Sequence, residues 1–494
     1  MRRTVTQPLL AAAAAGLLAS SAIAGGPTPT GSPAAGKANA TSPPAAATIL
    51  RPQSVVPLPG GLDAVLMLND NNPELITAPG VLLSTFPTAG RAHPEAHLDL
   101  PVSGRFDLFS HHVYAGRPET LSSTLWLGVL AQPRGNQPVT LRLLAGSTAL
   151  SQATDDRQAA APFLPLPALL PQDGSVFAGP GSRVAAELLN RQRSPLLPQQ
   201  WTLRPGGPTT LLVLPLPVDG LDPLLNGRNL QLRLQSDGAL SLATVAAFGS
   251  GDQPPAADAW AALLNGALSP REHRPTARGS KGAIVYSRVS GVQIGSSWRA
   301  SLTDPGQRWL NASRAPISWP ISSLERGSLG TGQVQTAELK AAYEGTAWAA
   351  HGNYGVEYDL SIPLRNGGRS PVQLQLQIDS PLKHDQPLGG LRFNTGVSRA
   401  VVFRGTVEVS GLDGDNGQPS GRRQFHLIQR AGQQGPSLGT ISLAAGAQRQ
   451  LRVRLIYPAD ATPPQVLSLL PLAAEATPEA PVKQSPPPPD SHRP

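Results

Sequence analysis

Alternation with a period of two residues constrains this chain most. Val372, Leu374, Leu376 and Ile378 alternate with Gln373, Gln375 and Gln377, and Leu451, Val453 and Leu455 alternate with Arg452 and Arg454. Phe403, Gly405, Val407 and Val409 do the same against Arg404, Thr406 and Glu408. Successive side chains of a strand point to opposite faces, so each run predicts a strand with one dry and one wet face, as in antiparallel sheets. Leu230, Leu232 and Leu234 before Asp237-Gly238, with Leu240 and Leu242 after it, predict a hairpin. A mostly helical fold is excluded by 53 prolines and 50 glycines in 494 residues, a fifth of the chain against an ordinary share of roughly 12%.

Helical signals are confined to two places. Ser182 is a candidate N-cap for a short helix over 183–191, and 256–264 reads as a second, stopped by Gly266 and Pro270. The segment 269–281 carries Pro270, Pro275 and several charges and reads as a linker. The expected organisation is a signal peptide over 1–24, a disordered Pro/Ala-rich linker over 25–51, a first β-sandwich domain over 52–268, the linker, a second β-sandwich domain over 282–473, and a disordered Pro-rich tail over 474–494. The fold class is therefore all-β, with two antiparallel sandwiches of jelly-roll or Ig-like type. At an offset of 233 residues the halves share a unit of strand, Gly-rich turn, Pro, strand: Leu127 matches Leu360, Gly135 Gly368, Pro138-Val139 Pro371-Val372, Leu141 Leu374, and Ser147 Ser380. Tandem duplication and common turn chemistry both account for it.

The N-terminus carries an address. Arg2 and Arg3, an Ala/Leu stretch from Leu9 to Leu18, and Ala22-Ile23-Ala24 before Gly25 form the three regions of a secretory signal, and Thr4-Val5-Thr6 favours the general route over twin-arginine export. No later stretch has 18 uninterrupted apolar residues, so the expectation is a non-spanning protein of the periplasm, cell surface or medium. Without cysteine there is no lipobox, disulfide or thiolate chemistry. Cleavage would lower the formal charge from +8 to +6. All but five of the basic residues are arginine, scattered without a cluster, which argues against nucleic acid and leaves an anionic envelope polymer as a partner.

Several pieces together carry a resemblance: Val56-Pro57-Leu58-Pro59-Gly60, Ala178-Gly179-Pro180-Gly181-Ser182-Arg183, the run from Arg326 to Gln333, the run from His351 to Tyr358, and the run from Tyr457 to Pro464. As a set they resemble a family of exported cyanobacterial proteins known only as a domain of unknown function, over about residues 53–471. The resemblance implies an exported protein of a photosynthetic bacterium. It carries over no catalytic residue, ligand or cofactor.

Motifs that suggest chemistry have simpler explanations. Gly435-Pro436-Ser437-Leu438-Gly439 has the spacing of a nucleophile elbow but leads into strand, not helix. Asp413-Gly414-Asp415-Asn416-Gly417 starts like a calcium loop, yet its twelfth position is Gln424, so a hairpin turn is expected. His93 and His97 flank Pro94, which opposes the helical geometry of a metal pair; with Asp99 and Asp107 nearby, two of these or of His111-His112 could still meet an Asp in space, but all four read as ordinary surface or network histidines. Gly179 to Ser182 before a helix also suits an anion, although turn and cap account for them. No metal, cofactor or catalytic residue is expected.

The richest stretch runs from Tyr286 to Tyr358 and holds Trp298, Trp309, Trp319 and Trp348, four of seven tryptophans, interleaved with arginines. An exposed ring beside polar side chains suits the apolar face of a sugar, whereas buried rings are core. Trp298, Arg299, Arg308, Trp309, His351, Asn353, Tyr354 and Glu357 are the candidate ligand-binding residues. The functional expectation is an exported non-enzymatic envelope protein that binds envelope polysaccharide or another envelope protein. Its alternative is a periplasmic hydrolase of envelope glycan or ester, in which carboxylates such as Asp304 and Glu357 would have to converge.

Overall fold

The computed structural model describes residues 47–152, 167–172, 176–272, 274–277, 279–282, 284–285 and 287–472. The expected signal peptide, most of the first linker and the C-terminal tail lie outside these residues. The structure is 46% strand and 7% helical, with two short α-helices and several sheets.

The chain opens with three strands, β1 (Thr48–Pro52), β2 (Ser54–Val55) and β3 (Gly61–Leu62). Disorder was expected as far as residue 51, but β1 starts at Thr48 and is hydrogen-bonded to a strand of the C-terminal half. The N-terminal half follows with β4 (Leu66–Asp70), β5 (Gly80–Ser84), β6 (Val102–Ala115), β7 (Leu125–Pro133) and β8 (Val139–Leu150). Helix α1 (Pro180–Leu189), β9 (Gln200–Leu203), β10 (Thr209–Leu216), β11 (Leu225–Phe248) and α2 (Ala257–Ala262) complete it. The C-terminal half contains β12 (Ser290–Ile294), β13 (Ser297–Ser301), β14 (Leu310–Asn311), β15 (Ile317–Ile321), β16 (Leu339–Ala342) and β17 (Glu357–Arg365). It ends with β18 (Val372–Asp379), β19 (Gly390–Asn394), β20 (Val401–Ser410), β21 (Arg423–Arg430), β22 (Ser437–Leu443), β23 (Gln448–Ile456) and β24 (Gln465–Pro471).

Alternation placed the strands well and their partners poorly. Asp237-Gly238 does not close a hairpin: β11 runs through it as one strand of 24 residues, and the partner register shifts between Ser236 and Leu240. The Asp237 carboxylate accepts from the Thr140 amide, so its turn chemistry is spent on a neighbouring strand. On either side of the shift, β11 pairs first with β8 and then with β7. The unit shared by the two halves is likewise not a hairpin, since β7 and β8 each pair with β11 and β17 and β18 lie in different sheets. Asp413 to Gly417 does sit in the connection between the antiparallel strands β20 and β21, as expected.

Two large cores correspond to the two halves. One gathers Phe106, Leu108, Leu230, Leu232, Leu234, Leu240 and Leu242. The other gathers Tyr358, Leu360, Leu374, Leu376, Ile378, Val407, Leu451 and Val453, from both the seven-stranded sheet β21-β20-β23-β17-β13-β3, with β14 also on β17, and the five-stranded sheet β2-β15-β24-β18-β22. Burying each such side chain contributes about 1.5–3 kcal/mol, which is why the apolar phase of these core strands faces inward.

The sheets, however, cross the expected boundary. β12 and β16 extend the ten-stranded sheet of the N-terminal half, and β1, β2 and β3 pair with β19, β15 and β13. The start of the expected linker is fixed: Ser269 is buried, Arg271 donates to the Leu82 carbonyl (2.8 Å), and Glu272 accepts from the Glu74 amide (2.9 Å). Helix α1 begins a turn before the expected 183, with Gly179 at the cap and Pro180 in the first turn, where its missing N–H costs nothing. Ser182 lies inside it, bonded to the Thr406 hydroxyl (2.9 Å). The helix packs between β8 of one half and Ile456 of the other.

Candidate functional site

Two of the eight candidate residues, Tyr354 and Glu357, lie where the halves meet. On β6 the even side chains enter the N-terminal core, while Asp107, Phe109 and His111 face the C-terminal half beside Asn229, Gln231 and Arg233 of β11. Gln231 therefore escapes the solvent its alternation predicts and donates to the Gly355 carbonyl (2.7 Å). Gly355 has φ +79°, and a Cβ there would stand 2.8 Å from the Phe109 ring, so both backbone and space demand glycine. Glu357, 8% exposed, takes Arg233 at 2.6 Å and Arg454 at 2.7 Å, and Arg454 also holds Glu408 at 2.8 Å. Burial pulls the Glu357 carboxyl upward, but the two guanidinium groups outweigh it and hold it below the usual carboxylate range.

Asn353 is sealed inside the C-terminal half, donating to the Gln335 carbonyl and the Tyr358 hydroxyl (2.8 Å each). Tyr354 is 4% exposed, its hydroxyl donates to the Ala461 carbonyl (2.9 Å), and burial pushes its phenol well above the usual range. His351 is half-buried, edge-on to the Tyr354 ring at 5.0 Å. The motif pieces converge here and close by. The Asp460 carboxylate lies against Gly179 and Gly181, so the N-terminus of α1 faces the protein's own anion. Gln333 exchanges hydrogen bonds with both backbone groups of Leu58. Trp298 Nε1 donates to the Pro59 carbonyl (2.8 Å), and its ring stacks on Tyr358. Trp298, 6% exposed, and Tyr354 are thus core, with no ring face offered to a ligand.

The remaining candidates occupy another place. Along β17 the residues Glu357, Asp359, Ser361, Pro363 and Arg365 share the outward phase, beside Gln448, Gln450, Arg452 and Arg454 of β23 and Arg299 and Ser301 of β13. Glu357 and Arg454 are covered; beyond them the strip opens, and Arg299, Ser301, Gln448, Gln450 and Arg452 are exposed. Arg452 grips Asp359 through Nε (2.7 Å) and Nη2 (2.6 Å). Partial burial raises the Asp359 carboxyl, and Arg452 outweighs that and holds it below the usual range. At the far end, Trp309 is half-buried and the Arg365 guanidinium lies 4.6 Å from its ring centroid, with Arg308 exposed beside it. Asp304 faces Arg314 at 3.4 Å and accepts from the Asn311 amide. Asp304 and Glu357 thus have separate arginine partners.

The histidines His93, His97, His111 and His112 face the protein's own groups. His93 bonds Glu95 at the surface, whereas His97 lies between the Ser84 hydroxyl and the Leu264 carbonyl. His111 and His112, adjacent on β6, point to opposite sides and are shifted oppositely. Burial lowers His111 despite Glu74 4.0 Å away, while for His112 the Asp70 carboxylate at 2.9 Å outweighs burial and raises it. Among the described residues no three His, Asp or Glu side chains are grouped to hold a metal ion. Sequence reasoning missed the cluster of Arg288 with Glu74 and Glu272 and the pair of Asp70 with His112, whose members are far apart in the chain.

The sequence matches, over residues 53–471, a family described as "Protein of unknown function (DUF3370)". No curated protein matches it. Among solved structures, a mutant of Bacillus subtilis oxalate decarboxylase OxdC aligns at 8% identity over 78% of this chain and 76% of that chain, with a TM-score of 0.09 that supports no argument about fold or function.

Proposed function

We propose that this chain, which belongs to that family of unknown function, is an exported, non-enzymatic protein of the cell envelope that binds envelope polysaccharide on the open strip of β13, β17 and β23. The observation that carries this reading is the Trp309 ring, half-buried at the end of an uncovered sheet face and stiffened by Arg365 against one side. A ring so held, with Ser, Gln and Arg side chains beside it, offers an apolar surface for a pyranose and donors and acceptors for its hydroxyls. Export rests on the three-part signal. The sandwich reading of the C-terminal half rests on two antiparallel-rich sheets sharing one core. Binding is favoured over hydrolysis because the two carboxylates named for acid and base roles are each taken by separate arginines, Glu357 by Arg233 and Arg454 and Asp304 by Arg314.

Co-sedimentation with isolated cell wall and with extracellular polysaccharide tests the proposal. The folded chain is expected in the pellet, and Trp309→Ala should weaken retention about fivefold, the worth of one stacking contact, with little change in melting temperature. Absence of wild-type binding, or a Trp309→Ala variant retained as well as the wild type, overturns it.

A further inference from the structure

We infer that the polysaccharide taken by this strip is acidic, an extended polymer bearing carboxylates, and this inference rests on the proposed function. Arginine dominates the strip and its far corner. Arg299, Arg308 and Arg369 are exposed, and Arg365 has its Nε buried without an acceptor. The carboxylates nearby are already taken, Asp359 by Arg452 and Asp304 by Arg314. The outward side chains between them are Ser301, Ser361, Gln448 and Gln450, neutral groups that bond hydroxyls without repelling an anion.

The protein displays on this face the geometry it would use. Arg452 holds Asp359 through two parallel N–H···O bonds, the fork arrangement by which a guanidinium selects a carboxylate. Arg299 lies directly across β17 from Arg454 in the register of β13, β17 and β23, and Arg365 is six residues along β17 from Asp359. At about 3.3 Å per residue the charged positions span about 20 Å, so the strip suits a chain of sugars lying along β17 rather than one sugar. Trp309 and Arg365 would grip one end and Arg299 the other.

The test compares polygalacturonate with dextran, a neutral polymer, on the full chain by biolayer interferometry in low and in moderate salt. Polygalacturonate should bind at least about tenfold more tightly, and this preference should shrink as salt rises because exposed charges are screened. The double variant Arg299→Gln/Arg365→Gln should lose about tenfold in polygalacturonate affinity with unchanged circular dichroism. Asp359→Asn, which releases Arg452, should instead gain up to about fivefold, an effect no folding defect produces. Equal affinity for dextran and polygalacturonate, with wall binding intact, overturns the inference and leaves the proposed function standing. Failure to bind wall, extracellular polysaccharide and both probes overturns both.

Discussion

Glu357 and Asp359 stand two residues apart on the same phase of β17, and each is held by an arginine of β23, Arg454 and Arg452. The first pair is closed under the N-terminal half and receives Arg233 from it; the second faces solvent. One chemistry therefore has two uses on one strand. Where water is excluded, neither charge can be left without its partner, and the pair fastens two halves together. Where water is present the pair contributes little to stability, and its geometry is available to a ligand. Residue type does not distinguish these uses; cover does.

Trp298 and Trp309 sharpen the comparison most. Trp298→Ala should cost about 3–5 kcal/mol in chemical denaturation, because a core ring with a bonded indole N–H is lost. Loss of polysaccharide binding without loss of stability in that variant would mean that the ring is reachable and the division is wrong. Glu357→Gln should come next, at about 3 kcal/mol at neutral pH, since Arg233 and Arg454 lose their shared charge in a buried place. A cost below about 0.5 kcal/mol, the ordinary surface value, would place this pair with the exposed ones.

Acid titration separates the regions further. Glu357 has its folded-state pKa below the unfolded value, so its contribution is complete above the ordinary carboxylate range near pH 4.3 and is lost as pH falls through the lower folded value. Stability curves of the wild type and Glu357→Gln should thus converge in acid; a gap that stays constant below pH 4.3 would count against this assignment. Asp359→Asn gives the smallest effect, under about 1 kcal/mol by thermal melting, as an exposed arginine pair should.

The strands were legible because alternation records which face is dry, and Leu374, Leu376, Leu451 and Val453 all lie in the core as their spacing requires. What covers the other face leaves no local mark. Gln231 and Arg233 alternate with leucines like any surface residues, yet the C-terminal half lies on them. Asp237-Gly238 has the composition of a turn, but β7 and β8 both depend on β11 continuing through it. Of the candidate site, Arg299, Arg308 and Trp309 were found in open positions, whereas Trp298 and Tyr354 were misread because a tryptophan-rich stretch looks alike in core and on surface. Arg365 was not singled out, although the outward phase that starts at Glu357 reaches it.

The opening strands β1 to β3 have a consequence for the order in which the molecule can be made. They are made before the other strands, but the groups that hold them come much later: Gln333 for Leu58 is 275 residues away, and Trp298 for Pro59 is 239. During synthesis this segment has nothing to pair with, and β4 lacks its neighbour β12 until Ser290 is made. Contacts at such separation close late and slowly. The sheet of the N-terminal half is complete only once β12 and β16 have been made, and a fragment cut at the middle would leave unpaired strand edges on both pieces.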